Sequence, residues 1–160
     1  MTAKPGLLDI NVLIALMDPA HQFHACAHSW FKAHRRRGWA TCPITENGCL
    51  RIMSSPGYPF PGLTVERVRG ILTELVGVEG HQFWPDSLSL LAVNRREGDR
   101  VETKRFDLSL ASPKHVTDLY LLSLAIENRG CLVTFDRTIP IQAITGFQAG
   151  DIEVLPAEEV

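Results

Sequence analysis

Four carboxylates stand out by their positions: Asp9, Glu46, Asp118 and Asp136. Carboxylates gathered at close range repel one another and raise their own pKa values. A divalent cation removes that conflict, and oxygen-only ligation suits Mg²⁺ or Mn²⁺ rather than zinc or copper. Such a cation lowers the pKa of a bound water and neutralises charge developing on a phosphate. The four acids could therefore support in-line hydrolysis of a phosphodiester, with one metal or two. Taken singly, each has an ordinary explanation. An aspartate after a strand is often a helix cap, and a glutamate in a first helical turn is often a dipole partner. The case for a shared site depends on all four occupying like places in successive elements.

Those places follow from the apolar pattern. Gly6 to Ile10 predicts a short buried strand with Asp9 near its end. Asn11 to Met17 predicts a helix, with Asp9 or Asn11 near its cap, broken by Asp18-Pro19. From Phe23 to about Arg37 apolar residues recur at helical spacing, and Gly38 closes that helix. Trp39 to Cys42 is a second strand. Pro43 opens a helix over about Ile44 to Met53, with Glu46 in its first turn. A Pro- and Gly-rich loop follows, and then Thr64 caps a helix striped from Val65 to Val76. His81 to Trp84 is a third strand, Leu88 to Val93 a short helix, and the charged stretch Arg95 to Lys104 a surface loop. Pro113 to Asn128 is a long helix, capped by Ser112 or Thr117, with Asp118 in its first turns. Cys131 to Phe135 is a fourth strand, with Asp136 directly after it, and Ile152 to Leu155 is a candidate fifth.

This alternation predicts an α/β fold: a central, mainly parallel sheet of four or five strands with helices on both faces. Open sheets of this kind carry ligands at the carboxyl ends of their strands. Asp9 and Asp136 would project there directly. Glu46 and Asp118 join them if their helices start at the same edge.

The chain has 160 residues, which suits one domain spanning 1–160. Its 45% hydrophobic and 21% charged residues fit a folded domain rather than a disordered one. No apolar run nears the roughly 20 residues that cross a bilayer, and Met1 to Gly6 lacks the apolar stretch of a signal peptide. A cytoplasmic protein without membrane association is expected. Cys26, Cys42, Cys49 and Cys131 form no C-x-x-C pair and are expected to be buried small hydrophobes. The net charge of −2 argues against a protein that coats nucleic acid by bulk attraction. It leaves room for a nuclease with an acidic site and a basic rim.

In these residues the chain resembles the PIN-domain family, and within it the VapC-like toxins of type II toxin–antitoxin modules. The likeness is carried by LLDINVLIAL around Asp9, ITENGCLRI around Glu46, HVTDLYLLSLA around Asp118 and LVTFDR around Asp136. The segment DPAHQFHACAHSWF also resembles the usual first connection of these toxins. The resemblance implies a three-layer α/β/α PIN-like fold and an endoribonuclease that uses metal-activated water and requires Mg²⁺ or Mn²⁺. It also implies homodimerisation and inhibition by a VapB-like antitoxin. Asp9, Glu46 and Asp118 are implied as metal ligands, with Asp136 completing the site directly or through water. Either Asp118 or Asp136 would orient the attacking water. Thr134 matches a small polar residue common before the last aspartate. Asn47, Thr134 and Arg137 are candidates for contact with substrate.

Other residues carry competing readings. His24 and His28, four apart on a helix, could share a metal, but no third ligand is evident and hydrogen bonding explains them better. Arg35, Arg36 and Arg37 could meet RNA phosphate or complement a helix C-terminus, the second being favoured. Asp86 could join the rim or serve a turn after Pro85. Phe23, Trp30, Phe31, Val68 and Leu72 are core residues, or in part the wall of a groove for an antitoxin helix. Three other functions remain to be weighed: a housekeeping PIN nuclease without an antitoxin, a non-catalytic binding domain on the same fold, and a phospho-acceptor domain. The last would need an acidic pair after the first strand and a strand-end lysine, and neither is present.

Overall fold

The computed structural model describes residues 3–60, 62–91, 93–95 and 102–157. Five parallel strands form the central sheet: β1 (Gly6–Leu8), β2 (Trp39–Thr41), β3 (His81–Phe83), β6 (Cys131–Thr134) and β7 (Ile152–Val154). Their spatial order is β3-β2-β1-β6-β7. The chain thus builds outward from β1 to β3 on one side, then crosses to β6 and β7 on the other. The reversal falls between β1 and β6, and ligand crevices form at the carboxyl ends of strands flanking such a switch.

Alternation along each strand divides the core into two layers. Leu8, Trp39, Cys131 and Val133 pack against α1 (Ile10–Met17), α2 (His24–His34), α3 (Pro43–Met53) and α4 (Val65–Val76). Leu7, Ala40 and Leu132 face the other way, onto α5 (Val116–Glu127). The result is the three-layer α/β/α fold. Helix α5 buries Leu119, Leu121, Leu122 and Leu124 completely. That burial holds its N-terminus, and therefore Asp118, at a fixed place beside the sheet.

Helix starts follow local chemistry. The Asp9 carboxylate accepts the Ile10 N–H at 2.7 Å, so β1 ends at Leu8 and α1 begins one residue earlier than expected. Thr64 caps α4 through the Arg67 N–H at 3.1 Å. Pro43 takes the first position of α3. The long helix opens as a 3₁₀ turn, Pro113–His115, with Ser112 before it, and becomes α-helical at Val116. Thr117 lies inside the helix and does not cap it.

Two expectations fail. Leu88 to Val93 is not a helix: Leu88 and Leu90 are half-buried against the α5 layer while Ser89 and Leu91 are exposed. That period of two belongs to extended chain. Arg95 to Lys104 is not simply a loop, because β4 (Val93–Arg95) pairs antiparallel with β5 (Glu102–Lys104). Residues 96–101 of that stretch lie outside the described residues.

Candidate active site

The carboxyl edge of the sheet holds the three aspartates. Asp9 leaves β1 and is buried, with 6% exposure. Both of its oxygens are engaged. Oδ1 accepts the Ile10 N–H, and Oδ2 accepts the Thr134 hydroxyl at 2.7 Å. Burial raises the pKa of Asp9, the two hydrogen bonds oppose that, and the charge of Asp136 adds to it. Asp118, in the first turn of α5, is pushed up to about 6. Burial is the main cause, followed by the charges of Asp9 and Asp136, with Lys114 opposing. Asp136 moves the other way. The Thr138 hydroxyl and N–H both donate to its Oδ1 at 2.7 Å and hold its pKa below the usual value. Beyond burial, Asp136 raises the pKa of both Asp9 and Asp118, and Asp9 raises that of Asp118, so the three make one electrostatic site.

Glu46 stands beside this set. Its Oε1 accepts the buried Thr41 hydroxyl at 2.6 Å. The thiol of Cys49, one turn further along α3, is close enough to feel both Asp9 and Glu46: burial first, then their charges, push its pKa up. Glu46 thus shares Cys49 as a neighbour with Asp9, while its own carboxylate is held by Thr41 and lines the cleft between α3 and α4. Among the described residues, no three His, Cys, Asp or Glu side chains close on a single metal-sized point.

Each of three acids is thus held by a threonine: Asp9 by Thr134, Glu46 by Thr41 and Asp136 by Thr138. Two of these threonines are backed by histidine. His81 Nε2 lies 2.8 Å from Thr41 Oγ1, and His115 Nε2 lies 3.3 Å from Thr138 Oγ1. Thr41 and Thr138 lie within five residues of the acids they hold, whereas His81 and His115 reach those threonines only through strand pairing and the α5 crossover. Thr134 is fully buried and spends its hydroxyl on Asp9, so it holds a carboxylate rather than meeting substrate. Asn47 and Arg137 are exposed beside Glu46 and Asp136. A groove of about 650 Å³ runs from Asn47 and Arg51 to Ile10, Val65 and Thr117, one residue from Asp118. Lys114 was also missed: it is exposed and near enough to Asp118 and Asp136 to lower both pKa values.

Similar proteins carry the same length of chain. Ribonuclease VapC44 of Mycobacterium tuberculosis is 41% identical over 142 residues, which is 88% of this chain and 92% of the relative. The chain belongs to the VapC ribonuclease family. Ribonuclease VapC39 of the same species is 39% identical over 150 residues, covering 94% of this chain and 99% of VapC39. Ribonuclease VapC38 is 37% identical over 131 residues, 82% of this chain and 84% of its own. No family model matches the chain.

The remaining residues of this VapC-family chain have structural partners. His24 Nδ1 meets the Ala15 carbonyl at 2.7 Å, and its ring stands 4.5 Å from that of His28. Arg37 pairs with Glu153 and lies over the Trp30 ring at 5.2 Å. The run Arg35–Arg37 is a 3₁₀ turn just before β2, at the edge of the sheet opposite the aspartates. Asp86 is exposed beside Tyr120, whose hydroxyl burial and then Asp86 push up to about 12. Cys42, Cys49 and Cys131 are buried free thiols, while Cys26 is half-buried. No helix among the described residues is long and apolar enough to cross a membrane.

Proposed function

We propose that this chain is a Mg²⁺- or Mn²⁺-dependent endoribonuclease acting as the toxin of a type II toxin–antitoxin module. The observation that carries the reading is the raised pKa of Asp118, pushed up by burial and then by Asp9 and Asp136 at the switch point of the sheet. A half-buried carboxylate with a pKa near 6 beside two others is the donor chemistry that a hard divalent cation relieves. Mg²⁺ is commonly held by one or two carboxylates, with water and substrate oxygens completing its shell, so the arrangement fits such an ion without a closed cage. Asp9 and Asp118 would hold it, with Glu46 and Asp136 directly or through water. When bound, the cation supplies an activated water and neutralises phosphate charge.

The chain's own residues do the rest. Thr134 and the Ile10 N–H fix the Asp9 carboxylate in one orientation. Thr138 does the same for Asp136, giving both of its bonds to Oδ1, so Oδ2 is the oxygen that would orient water. Lys114, close enough to lower the pKa of Asp118 and Asp136, and exposed Arg137, next to Asp136 in the chain, would meet phosphate, and the groove past Asn47 and Arg51 would receive the flanking nucleotides. The VapC names of the relatives support an RNA substrate and a VapB-like antitoxin for this chain. A homodimer belongs to the same reading, supported by exposed Leu110 and Val116 beside the start of α5.

An RNA-cleavage assay tests the proposal. With Mg²⁺ or Mn²⁺ the wild type cleaves, and Asp9→Ala and Asp118→Ala lose at least about 100-fold, the scale of losing metal-borne charge stabilisation. Equal cleavage by all three proteins, or cleavage unaffected by chelator, sinks it. Growth arrest on expression, relieved by a co-expressed neighbouring small protein, separates the toxin from a housekeeping nuclease.

A further inference from the structure

Thr41 is fully buried at the end of β2, and its hydroxyl bridges two groups from different elements. Glu46 Oε1 is 2.6 Å away on one side, and His81 Nε2 is 2.8 Å away on the other. A hydroxyl has one proton to give and lone pairs to receive. An ionised carboxylate only accepts, so the Thr41 proton goes to Glu46. His81 must then donate from Nε2 to Thr41 Oγ1. The chain runs His81 Nε2–H to Thr41 Oγ1–H to Glu46, with each bond polarising the next. His81 is itself fixed. It pairs with Trp39 across the β2–β3 ladder, and its ring lies 4.7 Å from that of Trp39.

A cleft of about 250 Å³ between α3 and α4 begins at Glu46 and Asn47 and has Arg69 on its wall. An unheld glutamate has three rotatable bonds, and Arg69 is already paired with Glu66 at 3.2 Å, so Thr41 and His81 are what fix the Glu46 carboxylate. We infer that Thr41 and His81 are positioning residues for Glu46, holding its carboxylate in one orientation at the mouth of the α3–α4 cleft. This rests on the reading of Glu46 as a functional acid of the site.

The test compares Glu46→Gln, Thr41→Val, Thr41→Ser, His81→Phe and His81→Gln in full-length protein. Three quantities are read: Mn²⁺ affinity by calorimetry on metal-free protein, kcat and KM for RNA cleavage, and the thermal midpoint. Thr41→Val and His81→Phe each lower Mn²⁺ affinity or kcat by roughly 10- to 100-fold, the usual cost of losing a partner that orients a ligand. KM for RNA stays unchanged. Thr41→Ser and His81→Gln restore a donor and recover near-wild-type values. If Glu46→Gln is impaired while Thr41→Val and His81→Phe match wild type, the relay is wrong and the site reading stands. If Glu46→Gln matches wild type in both affinity and turnover, the functional role of Glu46 fails and this inference falls with it. Equal losses in Thr41→Val and Thr41→Ser, tracking the thermal midpoint, reduce Thr41 to a packing residue and also overturn it. Should Thr41→Val not fold, the His81 pair decides alone.

Discussion

Asp118 shows how one carboxylate ties function to pH. Its pKa rises from 3.8 to about 6, chiefly through burial and then through Asp9 and Asp136. Between those two values the folded protein keeps a proton that the unfolded chain has released. Stability then falls as pH rises through the window, and the full cost is present above it. For a half-buried group, solvent screening reduces this cost to on the order of 1–2 kcal/mol. The dipole gain of a first-turn carboxylate, about 0.3–1 kcal/mol, is smaller. Asp118→Asn is therefore expected to be more stable than wild type at pH 8 in chelator, with the difference vanishing near pH 4. Urea titrations at the two pH values check this, and an Asn variant less stable at pH 8 contradicts it. The four acids could be found in the sequence because they flank apolar runs. Their holders could not. Thr41 and His81 are forty residues apart and meet only once β2 and β3 pair. Thr134 was visible as a neighbour of Asp136, whose N–H its oxygen accepts at 3.0 Å, but its proton goes to Asp9 at the end of the adjacent strand.

At the scale of elements, the turn into β3 positions His81 and depends on Gly80. Its φ is +90°, and a Cβ there would lie 2.2 Å from the Arg35 carbonyl oxygen. A backbone atom cannot swing aside as a side-chain end can. Gly80→Ala is expected to cost about 3 kcal/mol or more, from strained backbone and a clash together. Denaturant unfolding measures it, and a loss below about 1 kcal/mol would show that the turn relaxes freely. The variant should also lower cleavage, by displacing His81 from Thr41. Most elements were legible because each buries one face, so period and caps agree, as at Thr64 and α4. The stretch 88–104 was not. Leu88 and Leu90 alternate over too few residues to separate a strand from a helix, and the β4–β5 pairing joins charged residues without an apolar stripe.

Charge distribution decides how the whole molecule would meet RNA. The net charge is −2, and the carboxyl edge concentrates acid. Much of the basic content is spent elsewhere. Arg37 is bound to Glu153, Lys4 to Asp151 and Arg105 to Glu127, while Arg36 faces Glu79 at the opposite edge. Lys114 acts on Asp118 and Asp136, Arg137 follows Asp136 in the chain, and Arg51 lines the groove that reaches Thr117; these are the three basic residues proposed to meet phosphate. Single-stranded RNA releases about 0.7 counterion for each phosphate neutralised. Three contacts thus predict a slope of about −2 for log affinity against log salt, shallow for a nucleic-acid-binding protein. Binding of a non-cleavable RNA by Asp9→Ala, titrated in NaCl with Mg²⁺ held constant, measures that slope. Lys114→Ala should reduce its magnitude by about 0.7 and weaken binding across sequences alike. A slope steeper than about −5 would mean that further basic residues line the RNA path, and the groove from Arg51 to Thr117 would no longer account for it.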